Sequence, residues 1–178
     1  GVLYLNRFNE TVIRKTLREH DLRFTRLFTA KPHVFIGAGN PLASRSSITL
    51  SDLEPYPRLS YEQGEHNSFY FSEEILSTLD SRKDILVSDR ATLFNLLIGL
   101  NGYTICSGVI NEELNGPNIV AIPLDVDDYM EIGYITHNRV TPGRFAGLYI
   151  EALKRRVGVP VSEVPAREPI TRISVSDR

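Results

Sequence analysis

The hydrophobic positions of the chain follow two spacings, one of two residues and one of three to four, which predict strands and helices in turn. The predicted strands are residues 1–5, 24–28, 34–36, 58–61, 85–87, 103–106, 119–122 and 130–135. The predicted helices begin near Asn9, Thr49, Asn67 or Ser68, Ser88 or Asp89, and Thr141. All of these residue types cap a helix through a side-chain oxygen. The pattern predicts an α/β protein.

Each longer predicted helix has an apolar face that would pack inward. These faces consist of Val12, Ile13 and Leu17; Phe71, Ile75 and Leu79; Leu93, Phe94, Leu97 and Leu100; and Phe145, Leu148, Tyr149 and Ala152. Asn101-Gly102 is a favoured left-handed stop for the third of these helices, and Gly158 ends the last. Residues beyond Val159 show no apolar periodicity and are expected to form a tail or an edge segment.

Strands and helices alternate over residues 58–106, which predicts right-handed crossovers and a parallel sheet. Ligands bind beyond the carboxyl ends of the strands in such sheets. Those ends are followed here by residues 63–68 and 88–92, where helix starts would offer free backbone N–H groups to a small anion such as a carboxylate. Helix capping alone explains the polar residues of these segments equally well. Tyr61 beside the first segment would line a pocket or pack in the core.

Charge and cysteine content narrow the function. The 178 residues contain 20 Lys and Arg against 22 Asp and Glu, a net charge of -2. This balance lacks the basic excess that a nucleic-acid surface requires, so the chain is not expected to hold DNA by itself. One cysteine excludes an internal disulfide and fits a reducing cytosol. Without a run of 18 apolar residues or a signal peptide, no contact with a membrane is expected.

The residue types that carry catalysis or bind metals are scattered along the chain. The four histidines are His20, His33, His66 and His137. Their spacing matches no metal site, and the chain has neither a nucleophile elbow nor a phosphate-binding loop. Cys106 lies in an apolar strand and is predicted to be buried and unreactive. The sequence therefore predicts no enzymatic activity, no cofactor and no metal.

Several segments in a fixed order resemble the regulatory domains of LysR-type transcription regulators. They include the strand at residues 33–36, Asn40-Pro41-Leu42-Ala43, the turn at residues 48–53 with Tyr56-Pro57, residues 87–108, and the strand at residues 119–124. Asn40 stands where the family usually has histidine. The order of the segments is more specific than any one of them, and the resemblance covers about residues 1–156.

The resemblance implies an α/β, periplasmic-binding-protein-like fold with two α/β lobes joined by two crossover strands and an effector in the cleft between them. Residues 1–37 and 121–160 would form lobe I, residues 38–120 lobe II, and residues 161–178 a tail. Lobe I would be incomplete, because two of the family's βα units and its winged helix-turn-helix domain are absent from this chain. The effector-binding residues carried over are Asn6, Gln63, His66, Asn67, Ser68, Asp89 and Thr92.

The resemblance also implies a function. The chain would sense a small anionic or amino-acid-like effector in the cytoplasm. It would reach DNA only through the N-terminal domain, in a homodimer or homotetramer of the full-length protein. Residues 62–68 with residues 88–92 look like a subset of the family linked to sulphur amino-acid metabolism. Two alternatives on this scaffold are a secreted solute-binding protein and a transferase that tethers its cofactor to an exposed Cys106.

Overall fold

The computed structural model describes residues 1–64 and 68–158, so the tail expected at residues 161–178 lies outside them. The strands are β1 (Val2–Leu5), β2 (Leu22–Ala30), β3 (His33–Gly37), β4 (Arg58–Tyr61), β5 (Asp84–Val87), β6 (Tyr103–Cys106), β7 (Ile119–Pro123) and β8 (Met130–His137). The helices are α1 (Glu10–Glu19), α2 (Leu50–Leu53), α3 (Arg90–Gly99), α4 (Glu112–Asn115) and α5 (Arg144–Arg156). Every strand predicted from the sequence is present, and β2 and β8 are longer than predicted.

A three-stranded antiparallel sheet forms the first unit of the fold, with β8 between β1 and β2. α1 belongs to this unit, because Ile13 and Leu17 lie four residues apart on one helix face and pack with Leu5 of β1. This cluster is the core of the first unit.

A five-stranded sheet in the order β5-β4-β6-β3-β7 forms the second unit. β4 pairs in parallel with β5 and with β6, which confirms the parallel pairing predicted from the alternation of strands and helices. β3 and β7 join the sheet in antiparallel orientation. β3, which the sequence assigned to lobe I, therefore pairs within the second sheet, while the division into lobes stays a prediction.

Apolar cores lie on both faces of the five-stranded sheet, although Leu86 of the edge strand β5 is 65% exposed. Val34 and Ile36 belong to a core on one face. Phe35, which points the opposite way, packs with Leu93 and Leu97 of α3. The predicted stop of this helix is confirmed, since Asn101 adopts a positive φ of 51° just after it. The carboxyl ends of β4 and β5 remain at the sheet edge where α3 begins.

The helix predicted after residue 67 does not form in the described residues. A single 3₁₀ turn, Phe69–Phe71, is followed by extended backbone at Ser72 and by a positive φ of 60° at Leu76. Neither conformation continues a right-handed helix. The predicted helix at residues 68–79 is therefore wrong.

Contacts with two strands explain the different path of this segment. The Glu74 side chain accepts a hydrogen bond from the backbone N–H of Tyr61 at the end of β4 (2.7 Å). The Tyr4 hydroxyl of β1 donates to the carbonyl oxygen of Glu74 (3.1 Å). Ile75 is buried as the helical spacing predicted, whereas Phe71 is exposed. Tertiary hydrogen bonds thus override the local helical pattern.

α5 forms close to its predicted position, but its apolar face does not pack inward. Phe145 is 83% exposed, Leu148 53% and Tyr149 59%, and Ala152 is exposed as well. The prediction that these residues join the core is wrong. The reason is that no other element of the described residues packs extensively against α5.

Candidate functional site

A cavity of about 130 Å³ opens where β4 and β5 end, between the five-stranded sheet and the start of α3. Strand ends of this kind are the usual ligand position in parallel α/β sheets. Aromatic and charged side chains share the lining, which includes Phe35, Tyr61, Glu74, Arg90, Phe94 and Cys106. Since a water molecule occupies about 30 Å³ in the liquid, the space corresponds to about four waters. The cavity can hold a small molecule or the head group of a larger one.

Glu74 is a buried carboxylate in the wall of this cavity, with only 6% of the residue exposed. The carboxylate accepts hydrogen bonds from the Tyr61 N–H (2.7 Å), from its own backbone N–H and from the Ser72 hydroxyl (3.4 Å). No salt bridge of Glu74 is found in the described part of the chain. Burial raises the pKa of the Glu74 carboxyl above its ordinary value, and the neighbouring Glu73 raises it further.

Arg90 lines the same cavity from the first position of α3. Its guanidinium lies over the ring of Phe94, 4.6 Å from the ring centre. Within residues 1–64 and 68–158 it forms neither a hydrogen bond nor a salt bridge. A cation in the first turn of a helix is disfavoured by the helix dipole, so capping does not explain this residue.

Asp89 and Thr92, both expected at the effector site, bind each other. One Asp89 oxygen accepts from the Thr92 backbone N–H (2.9 Å) and the other from the Thr92 hydroxyl (2.7 Å). These hydrogen bonds lower the pKa of the Asp89 carboxyl. The carboxylate thus occupies the helix start that was expected to receive an anion, as a cap does.

Asn6 is buried in the turn between β1 and α1. Its side-chain oxygen accepts hydrogen bonds from the backbone N–H groups of Phe8 (3.1 Å) and Asn9 (3.0 Å). Asn9 returns the contact by accepting from the Asn6 N–H (2.8 Å). The side chains of both asparagines therefore stabilise this turn by accepting hydrogen bonds from its backbone N–H groups.

The remaining predicted site residues follow β4. The Gln63 side-chain amide donates a long hydrogen bond of 3.5 Å to the carbonyl oxygen of Tyr61, and Gln63 is not among the residues that line the cavity. Ser68 precedes the 3₁₀ turn and caps it with no side-chain hydrogen bond. His66 and Asn67 lie outside the described residues. A role of these residues in effector binding stays a prediction.

Two contacts connect the first unit of the fold with the segment that carries Glu74. Phe8 stacks on Tyr70 with ring centres 4.8 Å apart. The second contact is the hydrogen bond from Tyr4 to Glu74. Burial raises the pKa of Tyr4, which keeps its hydroxyl protonated and able to donate. These contacts join the first unit to the segment that forms one wall of the cavity.

A larger hollow of about 540 Å³ lies against residues 50–58, residues 79–82 and Tyr103. Four charged residues line it, namely Glu54, Arg58, Asp80 and Arg82. Arg58 binds Asp84 through two hydrogen bonds (2.7 and 2.8 Å) and the Leu79 carbonyl oxygen (2.6 Å). We regard the smaller cavity as the better candidate, because it lies at the carboxyl ends of parallel strands and its wall contains the buried carboxylate of Glu74.

Sequence reasoning identified Tyr61 and the segment around Arg90 but missed Glu74. Glutamates are rarely fully buried, so nothing in the sequence marked this one as an interior residue. The signal for Arg90 was available, because a cation at the first position of a helix needs an explanation.

Cys106 lies in the wall of the cavity and is partly exposed rather than fully buried as predicted. Its thiol is 3.7 Å from the His33 carbonyl oxygen, and burial raises the pKa of the thiol to about 12. Among the described residues no group of three or more His, Cys, Asp or Glu is placed to hold a metal ion. None of the helices in the described residues is long and apolar enough to cross a membrane.

A cavity at the carboxyl ends of parallel strands is the usual position of a ligand in an α/β sheet, and all residues that line it here belong to the second unit. Residues 6–158 match the LysR substrate binding domain family. The chain belongs to this family, which confirms the family and the fold expected from the sequence.

Solved structures share this fold at low sequence identity. A LysR family transcriptional regulator from Pseudomonas aeruginosa has a TM-score of 0.56 and 15% identity, with 88% of this chain and 52% of that one covered. The C-terminal domain of a LysR family transcriptional regulator from Rhodococcus sp. RHA1 has a TM-score of 0.55 and 15% identity, with 86% and 73% covered. The effector binding domain of QuiR in complex with shikimate has a TM-score of 0.52 and 17% identity, with 78% and 66% covered.

The chain spans about half the length of the Pseudomonas regulator. No curated protein sequence matches it.

Proposed function

We propose that this chain is the effector-sensing part of a LysR-type transcription regulator. A small molecule binds at the cavity beside β4, β5 and α3, and binding controls DNA recognition by a helix-turn-helix domain of the full-length protein. The proposal is carried by the family match over residues 6–158 together with a charged, aromatic cavity at the expected strand ends. QuiR, a relative in fold, has been solved with shikimate in its effector binding domain.

The contacts between the two units supply a route for the signal. A ligand that engages Glu74 acts on the segment that also binds Tyr4 and stacks on Phe8. These contacts favour one relative position of the two units, so a ligand that strengthens or breaks them shifts the balance between positions. In the full-length protein this shift would alter the geometry of a homodimer or homotetramer.

Further parts of the proposal follow from the family. The regulator acts in the cytoplasm, contacts DNA only through its N-terminal domain, and is not an enzyme. The subset linked to sulphur amino-acid metabolism stays a proposal that rests on residues 62–68 and 88–92. The family match favours a regulator over a secreted solute-binding protein of the same fold. The raised pKa of Cys106 argues against a thiol that tethers a cofactor.

Thermal unfolding of the chain in the presence of a metabolite collection tests this function. The collection includes amino acids, aromatic carboxylates, sugars and nucleosides. A ligand at 100 times its Kd stabilises the folded state by about 2.7 kcal/mol, which raises Tm by roughly 5–10 °C for a chain of this size. The result against the proposal is that no compound raises Tm.

A pair of variants locates the binding site. Phe94→Ala removes one wall of the cavity, whereas Phe28→Ala removes a half-buried ring of β2 in the other unit. Both variants lower Tm in the absence of ligand, but only Phe94→Ala should lose the ligand-induced increase. An equal increase in both variants would place the site elsewhere.

A further inference from the structure

We infer that the effector is a zwitterion of the amino-acid type, with its carboxylate on Arg90 and its ammonium group on Glu74. This inference rests on the proposed function and specifies the chemical class of the ligand. It depends on the two opposite charges that line one cavity and have no counter-ion in the described residues.

Glu74 supplies the acceptor for an ammonium group. Glu74 is buried, and its carboxylate accepts hydrogen bonds only from neutral groups among the described residues, namely the Tyr61 N–H, its own backbone N–H and the Ser72 hydroxyl. A buried carboxylate is costly to the fold unless a cation or several hydrogen bonds compensate it. A primary ammonium group in the cavity provides both, since it carries one positive charge and three donors. Glu73 also lines the cavity and adds negative potential on the same side.

Arg90 supplies the donor for a carboxylate. Its guanidinium is held over the Phe94 ring, and within the described residues all of its N–H groups lack a partner. The carboxylate of Asp89 lies next to Arg90 in the sequence, at the start of α3. Both of its oxygens accept hydrogen bonds from Thr92. A planar guanidinium with free N–H groups is suited to bidentate hydrogen bonding with a ligand carboxylate.

The combination of charges excludes simpler ligands. A ligand with carboxylates only would be repelled by Glu73 and Glu74, and an amine without a carboxylate would leave Arg90 unused. Glu74 and Arg90 line the same cavity and form no salt bridge with each other, so both charged groups are open to a ligand bound there. A space of about 130 Å³ accommodates an amino-acid head group, and Phe35 and Phe94 offer apolar surface to the rest of the ligand.

Calorimetric titration of the 178-residue chain tests the inference. The probes are the twenty protein L-amino acids and, for every binder, the matching 2-hydroxy acid and the matching primary amide. We expect at least one amino acid to bind. The hydroxy acid, which lacks the ammonium group, and the amide, which lacks the carboxylate, should each bind at least tenfold more weakly.

Three variants assign the two charges. Glu74→Gln should abolish the preference for the amino acid over the hydroxy acid, and Arg90→Gln should abolish the preference for the acid over the amide. Arg18→Gln, a change of an exposed arginine on α1, should leave both preferences unchanged. A loss of stability alone cannot produce these selective changes, and Tm is measured for each variant.

The inference is overturned if no L-amino acid binds or if a 2-hydroxy acid binds as tightly as its amino acid. If another compound of the metabolite collection then raises Tm, only the amino-acid inference fails, because the proposed effector-sensing function is still supported. It fails together with the proposed function when nothing in that collection binds.

Discussion

At the scale of single residues, Cys106 shows how position controls reactivity. Burial raises the pKa of its thiol to about 12, although Cys106 lines the cavity. At neutral pH the reactive thiolate is then about a thousandfold scarcer than for an unburied cysteine. An aromatic disulfide reagent should therefore modify the folded chain about a thousandfold more slowly than the chain unfolded in urea. Equal rates in the two states would show that the thiol is open to solvent.

Glu74 is expected to make the stability of the fold depend on pH. Its pKa is raised mainly by burial, so its contribution to stability is complete below the ordinary value of 4.5 and is lost as the pH rises through the folded-state pKa. Glu74→Gln keeps the shape and an oxygen for the Tyr61 N–H but cannot ionise. Urea unfolding should show wild type losing stability relative to the variant as the pH rises above about 4.5. A constant difference across this range contradicts the assignment.

At the scale of elements, the sequence predicted regular structure well wherever local pattern and tertiary contacts agree. The strands of the described residues were predicted, because their apolar residues alternate or form short runs that turn residues bound. The segment at residues 68–79 was not, since Tyr61 and Tyr4 bind Glu74 from outside the segment and no local spacing records such contacts. The same limit applies to the cavity, whose Glu74 and Arg90 come from separate parts of the chain.

The two amphipathic helices α1 and α5 should respond differently to truncation of their apolar residues. Phe145→Ala with Leu148→Ala removes exposed side chains from α5 and keeps helix propensity high, so the free energy of unfolding should change by less than about 0.5 kcal/mol. Leu17→Ala opens a cavity in the core of the first unit and should cost about 2–5 kcal/mol. Urea unfolding measures both. A large loss from the α5 changes would reveal packing that the described residues do not contain.

At the scale of the whole molecule, the charge distribution separates sensing from DNA binding. The net charge is -2, and several exposed arginines are paired with acids, such as Arg7 with Asp127 (3.2 Å) and Arg139 with Asp21 (2.6 Å). Paired arginines offer little to phosphates, because the acid would have to be displaced first. The balanced charge of the chain therefore lacks the basic excess that drives binding to the DNA backbone.

This chain alone should consequently not bind duplex DNA at physiological salt. Proteins with a DNA-binding surface retain a non-specific Kd of about 10⁻⁴ to 10⁻⁶ M under these conditions through neutralised phosphates, whereas the net charge of this chain is -2. The fluorescence anisotropy of a labelled duplex should stay constant as the chain is added up to a concentration of about tens of micromolar. This concentration lies within the range of those non-specific Kd values. Repeating the titration at about 50 mM salt strengthens any electrostatic contact and provides the sensitive condition. A sequence-specific rise in anisotropy that weakens with added salt would show that the chain carries its own DNA-binding surface, and the division of labour proposed for the regulator would have to be abandoned.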